Sequence, residues 1–302
     1  MRVLVTGAEG FVGRHLLREL AAHGHQPLAL DVHPPASPSA AQAFAADIRD
    51  RRRLESILRS QALDACAHLA GLTFVPDGRS APEDMLAVNV IGTAALLEAC
   101  RTSAGQARIL VVSTAQVYGT RPRPHPVREE EPFNPESLYA ISKAAADQLA
   151  LLYAREYGMP VLTVRPHNHV GPGQSPHFVV PSLARQIREQ AGRQEVLIRA
   201  GNLESYRDFT DVRDVVRAYR LLLERGRPGR AYNLASGRLW RIGDVLDRLC
   251  ALAGVRARIE QEPALYRPAD RSPLLDTTCL REDTGWQPDI PFDTTLRDVL
   301  NA

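Results

Sequence analysis

The run Thr6-Gly7-Ala8-Glu9-Gly10-Phe11-Val12-Gly13 restricts what this chain can become more than any other stretch. It follows the apolar, β-branched residues 3–6 and leads into a helical pattern over residues 11–22. Glycines at this spacing alone describe an ordinary strand-to-helix turn. Between a strand and a helix they acquire separate tasks: Gly7 makes the tight turn, Gly10 lets the backbone reach a pyrophosphate, and Gly13 permits close packing of helix on strand. The phosphates would rest against unpaired amides at the positive end of the helix, where Phe11 and Val12 stand. Asp31 closes the second strand, 18 residues after Gly13. A carboxylate there accepts both ribose hydroxyls of NAD and repels a 2′-phosphate, so NAD(H) is favoured as cofactor and NADP(H) is the possible alternative.

The rest of the first half keeps the same alternation. Strand patterns fall at residues 27–31, 44–48, 65–70, 109–113 and 161–165, and helical patterns at 51–60, 83–102 and 137–157. This predicts an α/β fold with a Rossmann-type doubly wound parallel sheet. After Arg165 the pattern changes at Gly171-Pro172-Gly173, and helical segments at 180–190, 212–223 and 242–253 are joined by short strands. Two domains are expected: residues 1–165 for the dinucleotide, and a smaller mixed α/β substrate domain at 166–302, with room for one segment to return to the first. Residues 34–43 and 121–135 are expected to be loops. Asp47 and Ile48, placed at the end of strand three, are candidates for the adenine, although Asp47 equally suits a helix start. Leu69, Ala70 and Gly71, ending strand four, would let the backbone approach the cofactor; His68 is expected to be structural.

One lysine stands against 36 arginines, and it is Lys143. A coding bias explains the arginines, because solvated cations exchange cheaply. It does not explain the exception. A compact ammonium differs from a guanidinium fork where it must sit beside a small target and alter a neighbour's proton affinity. In Tyr139-Ala140-Ile141-Ser142-Lys143 the phenol and ammonium are one helical turn apart on the same face. A free phenol has a pKa near ~10 and needs a nearby cation to exchange protons around neutrality. Thr114, at the carboxyl edge of strand five, adds a hydroxyl that can reach a carbonyl oxygen.

The formal net charge of +2 leaves no excess positive field for a nucleic acid. Four scattered cysteines suggest reduced thiols and a cytoplasmic protein. No apolar run approaching about 18 residues is evident, so no membrane association is expected. His167 and His169, two apart on one extended segment, have the spacing of a metal pair, but no third ligand is apparent, so no metal is expected.

TGAEGFVG, HLAG, NVIGT, VYG, YAISK and RDFTDVRDV together resemble the extended short-chain dehydrogenase/reductases that modify nucleotide sugars. Within them the chain looks most like the GDP-4-keto-6-deoxy-D-mannose reductases, which make GDP-D-rhamnose. That likeness rests on RPHNHVGPGQ (165–174), GNLESYRDFTDVRDV (201–215), YNLASG (232–237) and TGWQPDIP (284–291). It implies Thr114, Tyr139 and Lys143 as the catalytic set and Asn168, Arg207 and Arg267 as ligands of a nucleotide diphosphate-sugar. Arg185 and Val180, with the backbone of Phe178 and Val179, are weaker candidates. Thr73 on the substrate side and Arg165 on the cofactor side complete the expected site. The resemblance also implies a homodimer, joined by a four-helix contact of residues 83–102 and 137–157.

Related 4,6-dehydratases place acidic residues just after the strand-five threonine, where this chain has Ala115 and Gln116, which cannot serve as acid or base. The implied reaction is therefore NAD(P)H-dependent reduction of the C4 ketone of a GDP-linked 4-keto-6-deoxyhexose. A 4-epimerase with tightly held NAD is the alternative, and a non-catalytic NAD-binding scaffold a third. One departure stands out, because His167 occupies a position near the nicotinamide where these proteins usually have phenylalanine.

Overall fold

The computed structural model describes residues 1–34, 36–73, 81–120, 124–266 and 270–302. Its first half alternates β1 (Arg2–Thr6), α1 (Phe11–Ala22), β2 (Gln26–Asp31), β3 (Gln42–Ala45), α2 (Arg51–Ser60), β4 (Ala65–His68), α3 (Pro82–Ser103), β5 (Arg108–Val112), α4 (Leu138–Tyr157) and β6 (Val161–Pro166). With the later strand β10 (Ala231–Leu234) these form one seven-stranded sheet in the order β10-β6-β5-β4-β1-β2-β3. Every neighbouring pair in it is parallel. The expected doubly wound sheet is what the chain folds into.

The two-residue period of the strands explains why helices cover both faces. On β1, Val3 and Val5 face a core shared with Leu16, Leu17 and Leu20 of α1, whereas Leu4 faces the opposite core with Leu54 of α2 and Leu96 of α3. Strand order reverses between β1 and β4, and the gap at their carboxyl ends is where ligands of such sheets collect. The glycine loop after β1 and residues 69–71 after β4 border that gap.

The second half builds a smaller body from β7 (Asn168–Val170), β9 (Tyr206–Asp211) and β11 (Leu239–Arg241) in one sheet and β8 (Glu195–Ala200) with β12 (Arg256–Gln261) in another. Helices α5 (Val179–Arg188), α7 (Ile242–Ala253) and α9 (Phe292–Asn301) share its core. Three segments leave it for the large sheet, among them residues 278–286, whose Leu280 and Trp286 join the core beside α1. Strand β10 pairs with β6, and α6 (Val212–Arg225) buries Val215, Tyr219 and Leu222 against the α1 side.

Three sequence expectations need adjustment. Strand three runs 42–45 rather than 44–48, because its partner β2 ends at Asp31, opposite Ala45. Asp47 therefore lies beyond the strand in a turn, and the side chain that caps α2 is Asp50, accepting from the Arg53 N–H at 3.0 Å. Helix α3 is, by length and composition alone, apolar enough to cross a bilayer, which the sequence reading did not anticipate. Here it packs Leu96, Leu97, Ala99 and Cys100 into the core beneath the sheet, as core helices of the same composition do. The short helices α8 (Thr278–Thr284) and α9 were not foreseen.

Candidate active site

Gly7 adopts φ +68° in the turn after β1. A side chain there would begin 2.8 Å from the Ala70 nitrogen, and one at Gly13 would begin 2.2 Å from the Gly7 carbonyl oxygen. Backbone is thus pressed against backbone on both sides of the loop. Gly10 caps α1 without a side-chain bond, and no acidic residue occupies the first turn. The amides of Phe11, Val12 and Gly13 consequently have no intrahelical acceptor, at the positive end of the helix. Asp31 is fixed beside them: its Oδ2 accepts from the Glu9 N–H at 3.0 Å and its Oδ1 from the Val32 N–H at 2.8 Å, leaving lone pairs on both oxygens.

These residues line a single cleft of about 1020 Å³, at the top of the range for ligand sites and large enough for two ligands end to end. Asp47, Ile48, Leu69, Ala70, Gly71 and Thr73 also line it. Asp47 is tied to Arg49 at 2.6 Å, which holds its carboxyl below the usual range. An uncapped amide cradle and an anchored carboxylate together fit a dinucleotide.

Thr114, Tyr139 and Lys143 all face the cleft. Helix α4 starts where Ser137 accepts from the Ala140 N–H at 3.1 Å, which presents Tyr139 in the first turn. Burial pushes the Tyr139 phenol up to about 12, partly offset by a hydrogen bond from Thr114. Burial draws Lys143 down to about 8, opposed by the charge of Asp147.

Sequence reasoning missed what holds this pair in place. Thr93 donates to the Asn89 carbonyl at 2.7 Å, so it accepts from His68 Nε2 at 2.9 Å, and the bare Nδ1 of His68 accepts from Thr6 at 2.8 Å. Thr6 in turn accepts from the Ala70 N–H at 3.1 Å. Burial holds His68 down at about 3, so the ring stays neutral and structural, as expected. From Asn89, Nδ2 donates to Leu72 O at 3.0 Å and Ser142 Oγ at 2.9 Å, while Oδ1 accepts from the Leu72 N–H at 2.8 Å. Ser142 then donates to the Tyr139 carbonyl at 2.8 Å. A continuous chain of bonds therefore joins the glycine-loop strand to the tyrosine helix. Asn89 lies in a π turn of α3, Ala87–Ile91, a distortion that recurs at functional sites. The NVIGT motif carried its signal.

The remaining candidates divide. Asn168, Val180 and Arg207 line the cleft. Arg207 grips Asp270 at 2.6 and 2.8 Å, and Asp270 lines the same wall. Arg185 does not line the cleft; it lies on α5 and pairs with Glu189 at 3.6 Å. Arg267 lies outside the described residues. Arg165 is corrected from a cofactor ligand to a buried strut. Its guanidinium makes a bidentate pair with Asp147 at 2.9 Å and donates to Tyr118 at 2.8 Å and to the Glu129 carbonyl at 2.7 Å. It is absent from the cleft wall, and by neutralising Asp147 it weakens the negative charge that Lys143 feels.

A family model described as GDP-mannose 4,6 dehydratase matches residues 4–299. The chain belongs to this family of extended short-chain dehydrogenase/reductases. It is 37% identical to a GDP-6-deoxy-D-mannose reductase of Pseudomonas aeruginosa, over 99% of this chain and 96% of the relative. Among solved structures it is similar to RMD from Pseudomonas aeruginosa complexed with NADPH, with a TM-score of 0.86 and 34% identity over 99% of this chain and 97% of the other. It is also similar to the Thermus thermophilus UDP-glucose 4-epimerase complexed with NAD, with a TM-score of 0.86 and 29% identity over 100% and 98% of the two chains. The glycine cradle and the Thr114, Tyr139 and Lys143 set thus belong to an enzyme.

Proposed function

We propose that this enzyme reduces the C4 ketone of a nucleotide-linked 4-keto-6-deoxyhexose, of the GDP-4-keto-6-deoxy-mannose type, at the expense of NADH or NADPH. The observation that carries the reading is the placement of Thr114, Tyr139 and Lys143 in one cleft with the glycine loop, with Ala115 and Gln116 immediately after the threonine. Gly7 to Gly13 would hold the cofactor's pyrophosphate, Asp31 its adenosine ribose, and Asp47 and Ile48 its adenine. When bound, it supplies hydride to the carbonyl carbon. Thr114 polarises the carbonyl oxygen, and Tyr139 gives its proton to the alkoxide that forms there. The ketone oxygen is a very weak base and the alkoxide formed from it a strong one, so the proton moves as the ketone is reduced. Lys143 contributes positive potential beside the phenol.

A dehydratase would need an acid and a base next to Thr114. Ala115 is apolar, Gln116 does not titrate, and the Glu136 carboxylate at the cleft wall is engaged by Thr120 at 2.7 Å and Asn134 at 3.1 Å. Arg207 suits the diphosphate as a guanidinium fork, with Asn168, Val180 and Thr73 toward the sugar. The GDP base follows the similarity to the Pseudomonas reductase. Asp31 supports NADH over NADPH, although relatives have been solved with either. We also propose a cytoplasmic homodimer formed through α3 and α4, which expose Leu86, Ile91, Ile141 and Tyr157.

Purified enzyme with GDP-4-keto-6-deoxy-mannose should oxidise one equivalent of NADH or NADPH per product, read as absorbance loss at 340 nm. A C4 epimer formed without net oxidation would replace this reading with that of an epimerase.

A further inference from the structure

The wall beside Thr114 carries a group for which the proposed reaction assigns no task. Strand register pairs Val112 with Val164, so Thr114 and Pro166 lie level at the carboxyl ends of adjacent strands and His167 follows at once. His167 is held at two points. Its N–H donates to the Leu234 carbonyl at 2.8 Å, and its Nε2 donates to the Pro273 carbonyl at 2.8 Å. A carbonyl can only accept, so the ring proton is on Nε2 and Nδ1 is bare. Burial favours the neutral ring. Among the described residues Nδ1 has no protein partner, it is not one of the polar atoms sealed from solvent, and the residue lines the cleft. It is therefore a fixed acceptor on a residue of the cleft wall, on the strand beside that of Thr114.

We propose that His167 Nδ1 accepts a hydrogen bond from the sugar hydroxyl on C3, next to the ketone, and so makes this enzyme select sugars that retain that hydroxyl. The inference rests on the proposed ketosugar reduction. A sugar bound with C4 at Thr114 and Tyr139 must present C3 or C5 to the neighbouring wall, and in a 6-deoxyhexose only C3 bears a free hydroxyl. Phenylalanine at this position would fill the same space without an acceptor, leaving the hydroxyl desolvated and unpaired. Because the ring is pinned through Pro273, little freedom is lost when it engages the sugar.

The test compares wild type, His167→Phe and His167→Gln on two substrates, GDP-4-keto-6-deoxy-mannose and its 3-deoxy counterpart, following cofactor oxidation at saturating NADPH. Wild type should lose about tenfold in kcat/KM on the 3-deoxy sugar, the scale of one buried hydrogen bond. His167→Phe should lose about tenfold on the 3-hydroxy sugar and nothing further on the 3-deoxy sugar. His167→Gln, whose amide can donate to Pro273 and accept from the sugar, should recover part of the loss. The KM for NADPH should be unchanged in both variants, and His167→Gln should melt as wild type does, whereas His167→Phe, which leaves the Pro273 carbonyl unpaired, should melt lower. Equal losses on the two sugars, or a loss appearing in the cofactor KM, would overturn the assignment. Absence of turnover by wild type on either sugar would instead overturn the underlying reductase reading.

Discussion

The two ends of the cleft recognise by different means. At the glycine end the surface is backbone, and its fit is set by atoms that have nowhere to go: a methyl group on Gly13 would begin 2.2 Å from one carbonyl oxygen and 2.7 Å from another. At the other end the surface is side chain, and its most prominent cation, Arg207, is already engaged with Asp270, both of them partly exposed. Rigid exclusion defines one ligand, and exchange of partners admits the other. The glycine end should therefore tolerate almost no substitution, whereas the arginine end should be adjustable by single changes of charge.

The sharpest way to break this contrast is Gly13→Ala. No flexible side chain can yield to the new methyl, so the loop or α1 must move, and cofactor binding followed by NADH fluorescence should become undetectable. Near-normal affinity would mean that the glycine end is not built by exclusion. Tyr139→Phe addresses the boundary between the ends. It should lower kcat by ~10²–10⁴-fold while leaving NADH affinity within a factor of about two, because the phenol acts as a proton donor rather than as a binding group. A large loss of cofactor affinity would instead place the ring in the wall of the glycine end.

The same contrast governs how far the site was legible in the sequence. Backbone recognition leaves local signatures: three glycines between a strand and a helix, then an aspartate at the next strand end, all within residues 6–31. Tyr139 and Lys143 were equally local, four residues apart in one helix. Tertiary partners leave no such trace. Asp147 is an ordinary helix residue until folding brings it to Arg165, 18 positions away, and that contact moved Arg165 out of the expected site. Asn89 reaches Ser142 across 53 positions. The return of β10 to the large sheet was foreseen only as one segment left unassigned, because a four-residue strand between turns fits either body. The place of Asp270 at the cleft wall depends on a pairing with a residue 63 positions earlier.

Lys143 tests whether the tyrosine helix resists change as the glycine end does. Its folded pKa of about 8 lies below the 10.5 of a free lysine. Between those values the unfolded chain holds more protons than the folded one, so stability contributed by this group rises with pH across that window. At pH 7 the ammonium is charged in both states, and its burial costs on the order of 3 kcal/mol. Lys143→Met should therefore raise the denaturation midpoint at pH 7 while abolishing activity, and its advantage should shrink as pH climbs from 8 towards 10.5. An advantage independent of pH would show that the gain came from packing rather than from removing a buried charge.

The smallest expected effect is the most direct probe of the arginine end. If the nucleotide diphosphate is bound by Arg207, its oxygens must compete with the Asp270 carboxylate for the same fork of donors, and they must approach against its negative charge. Partly exposed pairs of this kind are worth roughly 0.2–1 kcal/mol, so displacing one costs little. Asp270→Asn keeps an acceptor for Arg207 but removes the competing charge. The KM for the nucleotide sugar should fall by a factor of ~2–5, with kcat and the cofactor KM unchanged, and the gain should diminish in high salt as the charges are screened. A rise in KM would give Asp270 the opposite role, that of holding Arg207 in the geometry the diphosphate needs. The arginine end would then be as preorganised as the glycine end, and the distinction between them would rest only on whether backbone or side chain does the holding.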